Sequence, residues 1–332
     1  MKNPVLTICI PTYNRASFLE KTLASIVSQR VFLESNDVEI VVSDNASTDN
    51  TPEVVKQYQT MFHGKIVSIR SDIPVGANCN FERSMRYGKG EFLKLHNDSF
   101  LFLPGGVEKC LQAVRDNGDA SIIYIHGMKK LSIRERVIEN VNDLVRRFSY
   151  HATWAGAYFF RRDVYEKVQG AFEQYEPDFP HLDILLRILE EKKKVVACSI
   201  ECLQWQKMIR KQRNEAEIFG NKYINILEES LKKGLLDKRV FAREKCQVLF
   251  WHIIPFYFDF FNQFTSDHFG LKVYWDSMRK YHREIYFYIS LYFLVIYSCL
   301  LKIIPLRKIA GKMKNTLACW RDMIFGCGEE AR

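Results

Sequence analysis

Short apolar runs alternate with helical patterns through the first hundred residues, and this alternation limits the possible folds most. The runs at 5–10, 38–43, 65–69 and 92–95 are predicted strands, and Pro11 is expected to end the first of them. Strands that alternate with helices of about ten to fifteen residues form β-α-β units and a mostly parallel sheet. The sequence therefore predicts an α/β fold.

Capping residues mark where the helices between these strands should begin. Ser17 and Glu20 have the spacing of a capping box, with apolar residues following on one helical face. Thr51 and Pro52 suit an N-cap and the first helical position. A third helix is predicted at 78–87.

Polar clusters follow three of the four predicted strands at the point where each strand ends. They read "PTYNR" (11–15), "DNASTDNT" (44–51) and "HNDS" (96–99). In sheets of this kind, ligands bind beyond the carboxyl ends of the strands. The clusters are therefore predicted to line one shared cleft, and a turn alone would need fewer polar residues than the second cluster contains.

Composition narrows the class of protein and of partner. The chain of 332 residues carries a net charge of +9, which suits an anionic partner such as a nucleotide phosphate, nucleic acid or an acidic membrane. Its nine cysteines are irregularly spaced without a C-x-x-C, which favours reduced thiols in a cytoplasm over disulfides or structural zinc. The N-terminal residues lack the apolar stretch of a signal peptide.

Three common catalytic motifs are missing from the sequence. It contains no G-x-G-x-x-G dinucleotide motif after the first strand, no G-x-x-x-x-G-K-[ST] phosphate loop and no G-x-S-x-G nucleophile elbow. Phosphates in the predicted cleft would therefore have to be neutralised by a metal ion and basic side chains.

Four segments in order resemble the motifs of a family 2 glycosyltransferase with the GT-A fold. They are "ICIPTYNRASFLEKTLASI", "VVSDNASTDNT", "VGANCNFERSM" and "LHNDS". Together with "DFPH" (178–181), they are most similar to the abequosyltransferase-like branch that builds bacterial O-antigens. The resemblance covers roughly residues 4–200. It implies transfer of a sugar from a nucleotide-diphosphate donor, with Mg²⁺ or Mn²⁺ as cofactor.

The resemblance also implies which residues bind the nucleotide sugar. They are Pro11, Thr12, Tyr13, Arg15, Asp44, Asn45, Gly76, Asn80, Asn97 and Asp98. The first three would shape the base and ribose pocket, with Arg15 near the phosphates. Asp44 would accept a hydrogen bond from the base, beside Asn45. A turn cap is the structural alternative for Asp44 and Asn45, and helix capping is the alternative for Asn80.

The segment "HND" departs from the D-x-D motif with which the family binds its metal ion. His96 replaces the first acid and Asp98 keeps the last one. Because Mg²⁺ sites often use only one or two protein carboxylates, Asp98 is the predicted metal ligand. His96 is a second candidate ligand, although a histidine at a strand end is more often packed or hydrogen-bonded.

The acceptor side and the catalytic base are also assigned by resemblance. Trp154 and Gly156 would lie near the acceptor sugar, unless Trp154 is simply a core residue. The family's catalytic aspartate aligns with His181, whose imidazole can accept a proton at cytoplasmic pH, and a packing residue at the helix start is the structural alternative. Asp183 would bind acceptor hydroxyls, and Asp178 is the reserve candidate for the base.

The C-terminal part of the chain differs in character from the first 205 residues. Residues 206–247 read as charged helices, and 248–261 and 285–301 are rich in aromatic residues. The second run is at the short end for a bilayer span and has basic residues on both sides. It is predicted to lie on the membrane surface, with a core or dimer helix as the alternative.

These features together predict a domain at 1–205 and a membrane-associated region at 206–332. The expected partners are the nucleotide-sugar donor, a lipid-linked glycan acceptor and the anionic cytoplasmic face of the bacterial inner membrane. A homo-oligomer through the C-terminal region is a further expectation, and nucleic acid is not an expected partner. Alternative functions are a catalytically degenerate GT-A scaffold and a sugar-phosphate nucleotidyltransferase.

Overall fold

The computed structural model describes residues 3–125, 135–168, 179–206, 213–263 and 271–302. The chain divides into two compact units. The first comprises Met1–Asn140 and Ala152–Arg210, and the second comprises Val141–His151 and Lys211–Arg332. The predicted domain boundary at residue 205 stays a prediction.

An eight-stranded sheet forms the centre of the first unit, with the strand order β3-β2-β1-β4-β8-β6-β9-β7. Its first four strands are parallel neighbours, and β8 pairs in antiparallel fashion with β4 and β6. Strands β5 and β10 form a separate antiparallel pair. The strands are β1 (Leu6–Thr12), β2 (Val38–Asp44), β3 (Ile66–Arg70), β4 (Phe92–Leu95), β5 (Phe100–Phe102), β6 (Ile122–Ile125), β7 (Glu135–Ile138), β8 (Tyr158–Arg161), β9 (Val195–Cys198) and β10 (Leu203–Trp205).

The α-helices of both units have the following bounds. They are α1 (Ala16–Val27), α2 (Arg30–Glu34), α3 (Thr51–Met61), α4 (Ala77–Arg86), α5 (Gly106–Asp116), α6 (Val141–Phe148), α7 (Arg162–Lys167), α8 (Pro180–Glu190), α9 (Ile224–Lys232), α10 (Lys238–Val248), α11 (Ile254–Gln263), α12 (Leu271–Ser277) and α13 (Ile285–Lys302). The α/β architecture predicted from the alternating pattern is confirmed for the first unit.

The predicted strand and helix starts need three local corrections. Pro11 does not end β1, because the strand continues to Thr12 and Pro11 pairs with Ser43 of β2. The predicted capping box is absent, because the N–H of Ala16 donates instead to Asp49 Oδ2 at 3.0 Å. Thr51 is the first residue of α3 rather than its N-cap. Asp49, in the loop after β2, therefore caps α1 in place of the expected capping box.

The core of the first unit lies between the sheet and its helices. Leu19, Leu23 and Ile26 form the buried face of α1, and all three side chains are fully inaccessible to solvent. They belong to the same apolar cluster as β1 and β2. Burying each such side chain stabilises the fold by about 1.5–3 kcal/mol. This packing holds the polar loops at the strand ends in place.

The second unit consists of helices joined by turns, and its described residues form no strand. Besides its α-helices it contains two π-helical segments, Ala216–Tyr223 and Leu249–Ile253. Helix α13 buries Phe287, Leu294 and Tyr297 on one face. Its other face exposes apolar side chains: Ile285, Tyr288, Ile289, Tyr292 and Val295. Within the described ranges, no helix has both the length and the apolar character required to cross a membrane.

Candidate active site

The carboxyl ends of β1, β2 and β4 lie side by side at one edge of the sheet. Thr12, the last residue of β1, is in register with Asp44, the last residue of β2. Cys9 of β1 pairs with Leu95, after which the "HNDS" segment begins. The three polar clusters of the sequence therefore meet at the same edge.

Asp98 is a buried carboxylate at this edge, and both of its oxygens accept hydrogen bonds. Its Oδ2 accepts a hydrogen bond from Thr12 Oγ1, and its Oδ1 accepts one from Arg15 Nη1, both at 2.9 Å. The residue is 4% exposed. Burial raises the pKa of this carboxyl, and the Arg15 charge and the two hydrogen bonds offset only part of that rise. The position is fixed further by Thr22, whose hydroxyl donates to the Asp98 carbonyl at 2.9 Å.

His96 lies in the core, although it occupies the place of the first metal-binding acid. Its Nε2 donates to the Phe100 carbonyl at 3.0 Å, and its ring stacks on Phe102 at a centroid distance of 4.7 Å. Burial, and secondly the Lys94 charge, hold its pKa well below the usual range, so the ring is neutral. Because Nε2 carries the proton, Nδ1 is an acceptor, and it has no hydrogen-bond partner among the described residues.

Only part of a metal site is present in these side chains. Asp98 can supply one carboxylate oxygen, which fits a Mg²⁺ or Mn²⁺ ion that keeps water and phosphate ligands. Asn97 Oδ1 is buried and has no hydrogen-bond partner in the described part of the chain. Among the described residues, no group of three or more His, Cys, Asp or Glu side chains is arranged to hold a metal ion. The assignment of Asp98 and His96 as ligands stays a prediction.

Asp44 is paired with an arginine that the sequence reading did not single out. Arg70 Nη1 lies 2.6 Å from Asp44 Oδ2, and Arg70 Nη2 donates to the Ser47 carbonyl at 2.7 Å. Asp44 Oδ1 accepts the N–H of Ser47 at 3.1 Å. The pair forms because Arg70 ends β3 in register with Asp44. A ligand that bonds to Asp44 would therefore meet a carboxylate already flanked by a positive charge.

Asn45 and Asn80 use their amide groups within the protein. Asn45 exchanges two hydrogen bonds with the backbone of Val75, at 2.8 and 2.9 Å. Asn80 Oδ1 accepts from Ser43 Oγ at 2.7 Å, and its Nδ2 donates to the carbonyls of Ser43 and Thr12, at 3.1 and 3.3 Å. Both side chains are buried. They shape the cleft by joining strand ends to neighbouring loops, and their predicted contact with the nucleotide stays untested.

The polar loop after β2 is also hydrogen-bonded to the loop after β1. Asn14 Oδ1 accepts the N–H of Thr48 at 2.7 Å, and the N–H of Asn14 donates to Ser47 Oγ at 2.8 Å. Asn14 adopts a left-handed φ of 50°, a conformation that asparagine tolerates better than most residues. Most hydroxyl and carboxylate groups of 44–51 therefore hold two loops together. This leaves Tyr13, 45% exposed, as an aromatic side chain on the surface beside Thr12.

The remaining nucleotide-site predictions concern residues with few side-chain contacts. Pro11 is half-buried within β1. Gly76 precedes α4, and a Cβ at that position would meet only Cys79 Sγ at 3.8 Å. Sterics therefore do not require glycine at residue 76.

Trp154 and Gly156 lie in a turn before β8. The Trp154 ring packs against Phe100 with a centroid distance of 5.1 Å. A Cβ on Gly156 would approach the Trp154 ring to 3.0 Å, so glycine allows the indole to fold over the turn. Trp154 is partly buried, and its Nε1 lacks a hydrogen-bond partner among the described residues.

The three candidate catalytic residues differ in their surroundings. His181 is 4% exposed, its Nε2 donates to the Thr153 carbonyl at 2.8 Å, and burial lowers its pKa to about 4. Its Nδ1 is the ring atom left to accept a proton. Asp183 forms an ion pair with Arg187 at 2.9 Å. Asp178 lies outside the described residues. The choice among these side chains stays a prediction.

Comparison with known protein families identifies the domain. Residues 7–169 match the family model described as Glycosyl transferase family 2. The chain is 38% identical over 88 residues to abequosyltransferase RfbV of Salmonella typhimurium, which covers 26% of each chain. It is 30% identical over 113 residues to the GalNAc(5)-diNAcBac-PP-undecaprenol beta-1,3-glucosyltransferase of Campylobacter jejuni, covering 34% of this chain and 35% of the relative. The matched segments thus span about a third or less of these relatives.

Solved structures support the fold over a larger part of the chain. The crystal structure of S. aureus TarS 1-349 superimposes with a TM-score of 0.56 at 15% identity, covering 82% of this chain and 78% of that one. The mannosyltransferase PcManGT from Pyrobaculum calidifontis, in complex with GDP-Man and Mn2+, gives a TM-score of 0.54 at 15% identity and covers 97% and 88%. Identities this low show the fold alone. The chain therefore carries a glycosyltransferase family 2 domain with a GT-A-type α/β fold.

Proposed function

We propose that this protein transfers a sugar from a nucleotide-diphosphate sugar to a hydroxyl of a glycan acceptor during synthesis of a bacterial cell-surface polysaccharide. The observation that carries the proposal is the pairing of two buried carboxylates with arginines at the carboxyl edge of the parallel strands. Arg15 lies 2.9 Å from Asp98, and Arg70 lies 2.6 Å from Asp44. This arrangement offers both hydrogen-bond acceptors and positive charge to a nucleotide diphosphate.

The donor would lie across these two pairs. Asp44 and Asn45, with Pro11, Thr12 and Tyr13, would receive the base and ribose, and Gly76 and Asn80 would border them. Arg15 would turn its guanidinium, which is about a third exposed, toward the phosphates. Solved structures of this fold support the class of ligand, because S. aureus TarS 1-349 is in complex with UDP-GlcNAc and PcManGT is in complex with GDP-Man.

A divalent ion held by Asp98 would neutralise the diphosphate when bound. The remaining steps belong to side chains of the protein. Trp154 and Gly156 would hold the acceptor sugar, and Asp183 would bind its hydroxyls. The base would be His181 through Nδ1, with Asp178 in reserve. With a pKa of about 4, His181 stays unprotonated at cytoplasmic pH, although it is a weaker base than an ordinary histidine.

A lipid-linked acceptor and a membrane-surface location extend the proposal to the predicted C-terminal region, 206–332. The name of the Campylobacter jejuni relative includes a PP-undecaprenol acceptor. The exposed apolar face of α13 suits the surface of a membrane, here the cytoplasmic leaflet. The double change Ile285→Glu and Ile289→Glu should weaken binding to anionic liposomes, whereas Ile73→Glu, at an exposed apolar residue of the first unit, should not. Full-length protein that ignores such liposomes would contradict this location.

A catalytically degenerate scaffold is the second candidate function. It is favoured by His96, a neutral core residue at the position where the family has an acid. A scaffold would bind a nucleotide sugar without turnover, so the two candidates make different predictions for the same assay.

The assay measures nucleotide release from UDP-, GDP-, CDP- and dTDP-sugars in the presence of Mn²⁺ and a bacterial lipid extract as acceptor. We expect sugars of one nucleotide class to release their nucleotide. This release should require the lipid extract and should be lost in Asp98→Ala. Asp119→Ala, which removes an exposed carboxylate paired with Lys194, should retain it. Binding without release would favour the scaffold, and absence of both would contradict both candidates.

A further inference from the structure

The turn that carries Trp154 is held by hydrogen bonds to its backbone carbonyls. Each bond comes from a buried side chain on a different element, namely β8, α8 and β4. The bonds are Tyr158 Oη to the Ala152 carbonyl at 2.6 Å, His181 Nε2 to the Thr153 carbonyl at 2.8 Å, and Lys94 Nζ to the Gly156 carbonyl at 2.6 Å. We call residues 152–156 the clamped turn.

Lys94 is the least expected member of this set. It is completely buried, and among the described residues the titratable groups that act on its charge are the thiols of Cys110, Cys202 and Cys9 rather than carboxylates. Its Nζ makes a second bond, to the Leu95 carbonyl at 3.1 Å, and lies over the Phe159 ring at 5.0 Å. Burial lowers the pKa of the amine. Since burying an amine without an acid partner costs free energy, an apolar residue of similar length would stabilise the core better.

The hydrogen bond to the Gly156 carbonyl lets Lys94 hold the backbone close to Trp154. Between the carbonyls of Thr153 and Gly156 lies Trp154, whose indole folds over Gly156 and packs on Phe100. Fixing the backbone on both sides of Trp154 restricts the orientation of its ring. A ring held in one orientation is preorganised to receive the apolar face of a sugar, because no ordering is needed when the ligand arrives.

We propose that Lys94 is a positioning residue which, together with Tyr158 and His181, holds the clamped turn so that Trp154 presents one fixed ring face to the acceptor sugar. The inference rests on the proposed function for the role of the sugar. The clamp itself does not depend on that function, and the experiment separates the two.

The experiment uses full-length protein labelled with 5-fluorotryptophan and ¹⁹F NMR. The chain has five tryptophans, so the Trp154 resonance is identified by its loss in Trp154→Phe, and the other resonances report whether each variant is folded. Lys94→Met should shift and broaden the Trp154 resonance while the others stay in place. Tyr158→Phe, which deletes one hydroxyl, should cause a smaller change of the same resonance.

Lys65→Met is the matched control. Lys65 Nζ also donates to backbone carbonyls, among them that of Phe32 at 2.6 Å, and lies over the Phe32 ring at 5.4 Å. It contacts no part of the clamped turn, so this variant should leave the Trp154 resonance unchanged. An unchanged, sharp Trp154 resonance in both Lys94→Met and Tyr158→Phe would overturn the clamp.

A ¹⁹F NMR titration then tests whether Trp154 contacts a sugar. The probes are methyl glycosides of glucose, galactose, mannose and N-acetylglucosamine. At least one should move the Trp154 resonance of the wild type saturably, and Lys94→Met should require a higher concentration for the same change. If none moves it, the sugar role of Trp154 is wrong. A glycoside effect on Trp154 in a protein that transfers no sugar would contradict the proposed function and leave the clamp intact.

Discussion

Asp98→Asn should separate the stability of the protein from its binding of the donor. The substitution keeps the size of the side chain and one acceptor oxygen, so it removes the charge together with the acceptor for either Thr12 or Arg15. Burial raises the pKa of Asp98 above its ordinary value despite the Arg15 guanidinium. The ionised carboxylate is therefore less favourable in the folded chain than in the unfolded chain.

The raised pKa of Asp98 determines how its contribution to the free energy of unfolding changes with pH. A raised pKa in the folded state means that Asp98 contributes stability at low pH and loses it as the pH rises through the folded pKa. At pH 7.5 the wild type carries the full cost of the buried charge. Asp98→Asn should therefore unfold at the same temperature as the wild type or at a higher one, and the difference between them should shrink as the pH is lowered.

Asp98→Asn should bind the donor more weakly than the wild type, although its unfolding temperature should be equal or higher. A hydrogen bond to a charged group contributes about 1.5–3 kcal/mol, which corresponds to about 10- to 150-fold in affinity. Loss of the Asp98 charge should weaken Mn²⁺-dependent nucleotide binding by about this factor, because Asp98 supplies the carboxylate at this position.

The assay pairs thermal unfolding from pH 4 to 8 with calorimetric titration of nucleotide in Mn²⁺. Asp119→Asn is the control, because that carboxylate is 69% exposed and pairs with Lys194 at the surface. We expect little change in either measurement for the control. If Asp98→Asn binds nucleotide as tightly as the wild type, Asp98 does not bind the donor; if it unfolds well below the wild type at pH 7.5, the buried charge does not destabilise the fold.

Other substitutions test the surroundings of the cleft. Asn80→Ala should lower the free energy of unfolding by about 3 kcal/mol in urea titrations, since it leaves buried groups such as the Ser43 hydroxyl unpaired; an unchanged midpoint would mean that water replaces the amide. Asp44→Asn should weaken nucleotide binding about tenfold or more, and binding equal to that of the wild type would remove Asp44 from the site. His181 has its pKa lowered to about 4 in the folded state, so its contribution to stability is present above the ordinary pKa and is lost as the pH falls through 4. His181→Gln should remove about 3 kcal/mol of this acid sensitivity, and an unaltered pH profile would show that the ring is not buried.

Four of the ten strands in the described residues, and the edge of the sheet that carries the candidate site, could be predicted from sequence. Strand β4 has the predicted bounds, and β2 extends one residue beyond them to Asp44. Such runs are recognisable because several consecutive β-branched or apolar residues are needed for a strand buried on both faces. Polar residues directly after them then mark the ligand edge of a parallel sheet.

Contacts between distant segments could not be predicted in the same way. The pair of Asp44 with Arg70 depends on the lateral register of β2 and β3, which no local pattern encodes. Asp49 caps α1 from another loop and replaces the expected capping box. Lys94 is buried because both faces of β4 are covered, which a charged residue does not indicate, whereas a packed His96 was one of the two alternatives expected from the sequence.

The most direct test of the donor site is a binding screen with UDP-, GDP-, CDP- and dTDP-sugars, read as thermal stabilisation of the full-length protein in Mn²⁺. One nucleotide class should stabilise the wild type by about 2.7 kcal/mol at a hundred times its dissociation constant, since only the folded state binds it. The same ligand should have much less effect on Asp44→Asn and Asp98→Asn. If no nucleotide sugar stabilises the wild type, the sheet edge that carries Asp44 and Asp98 is not a donor site.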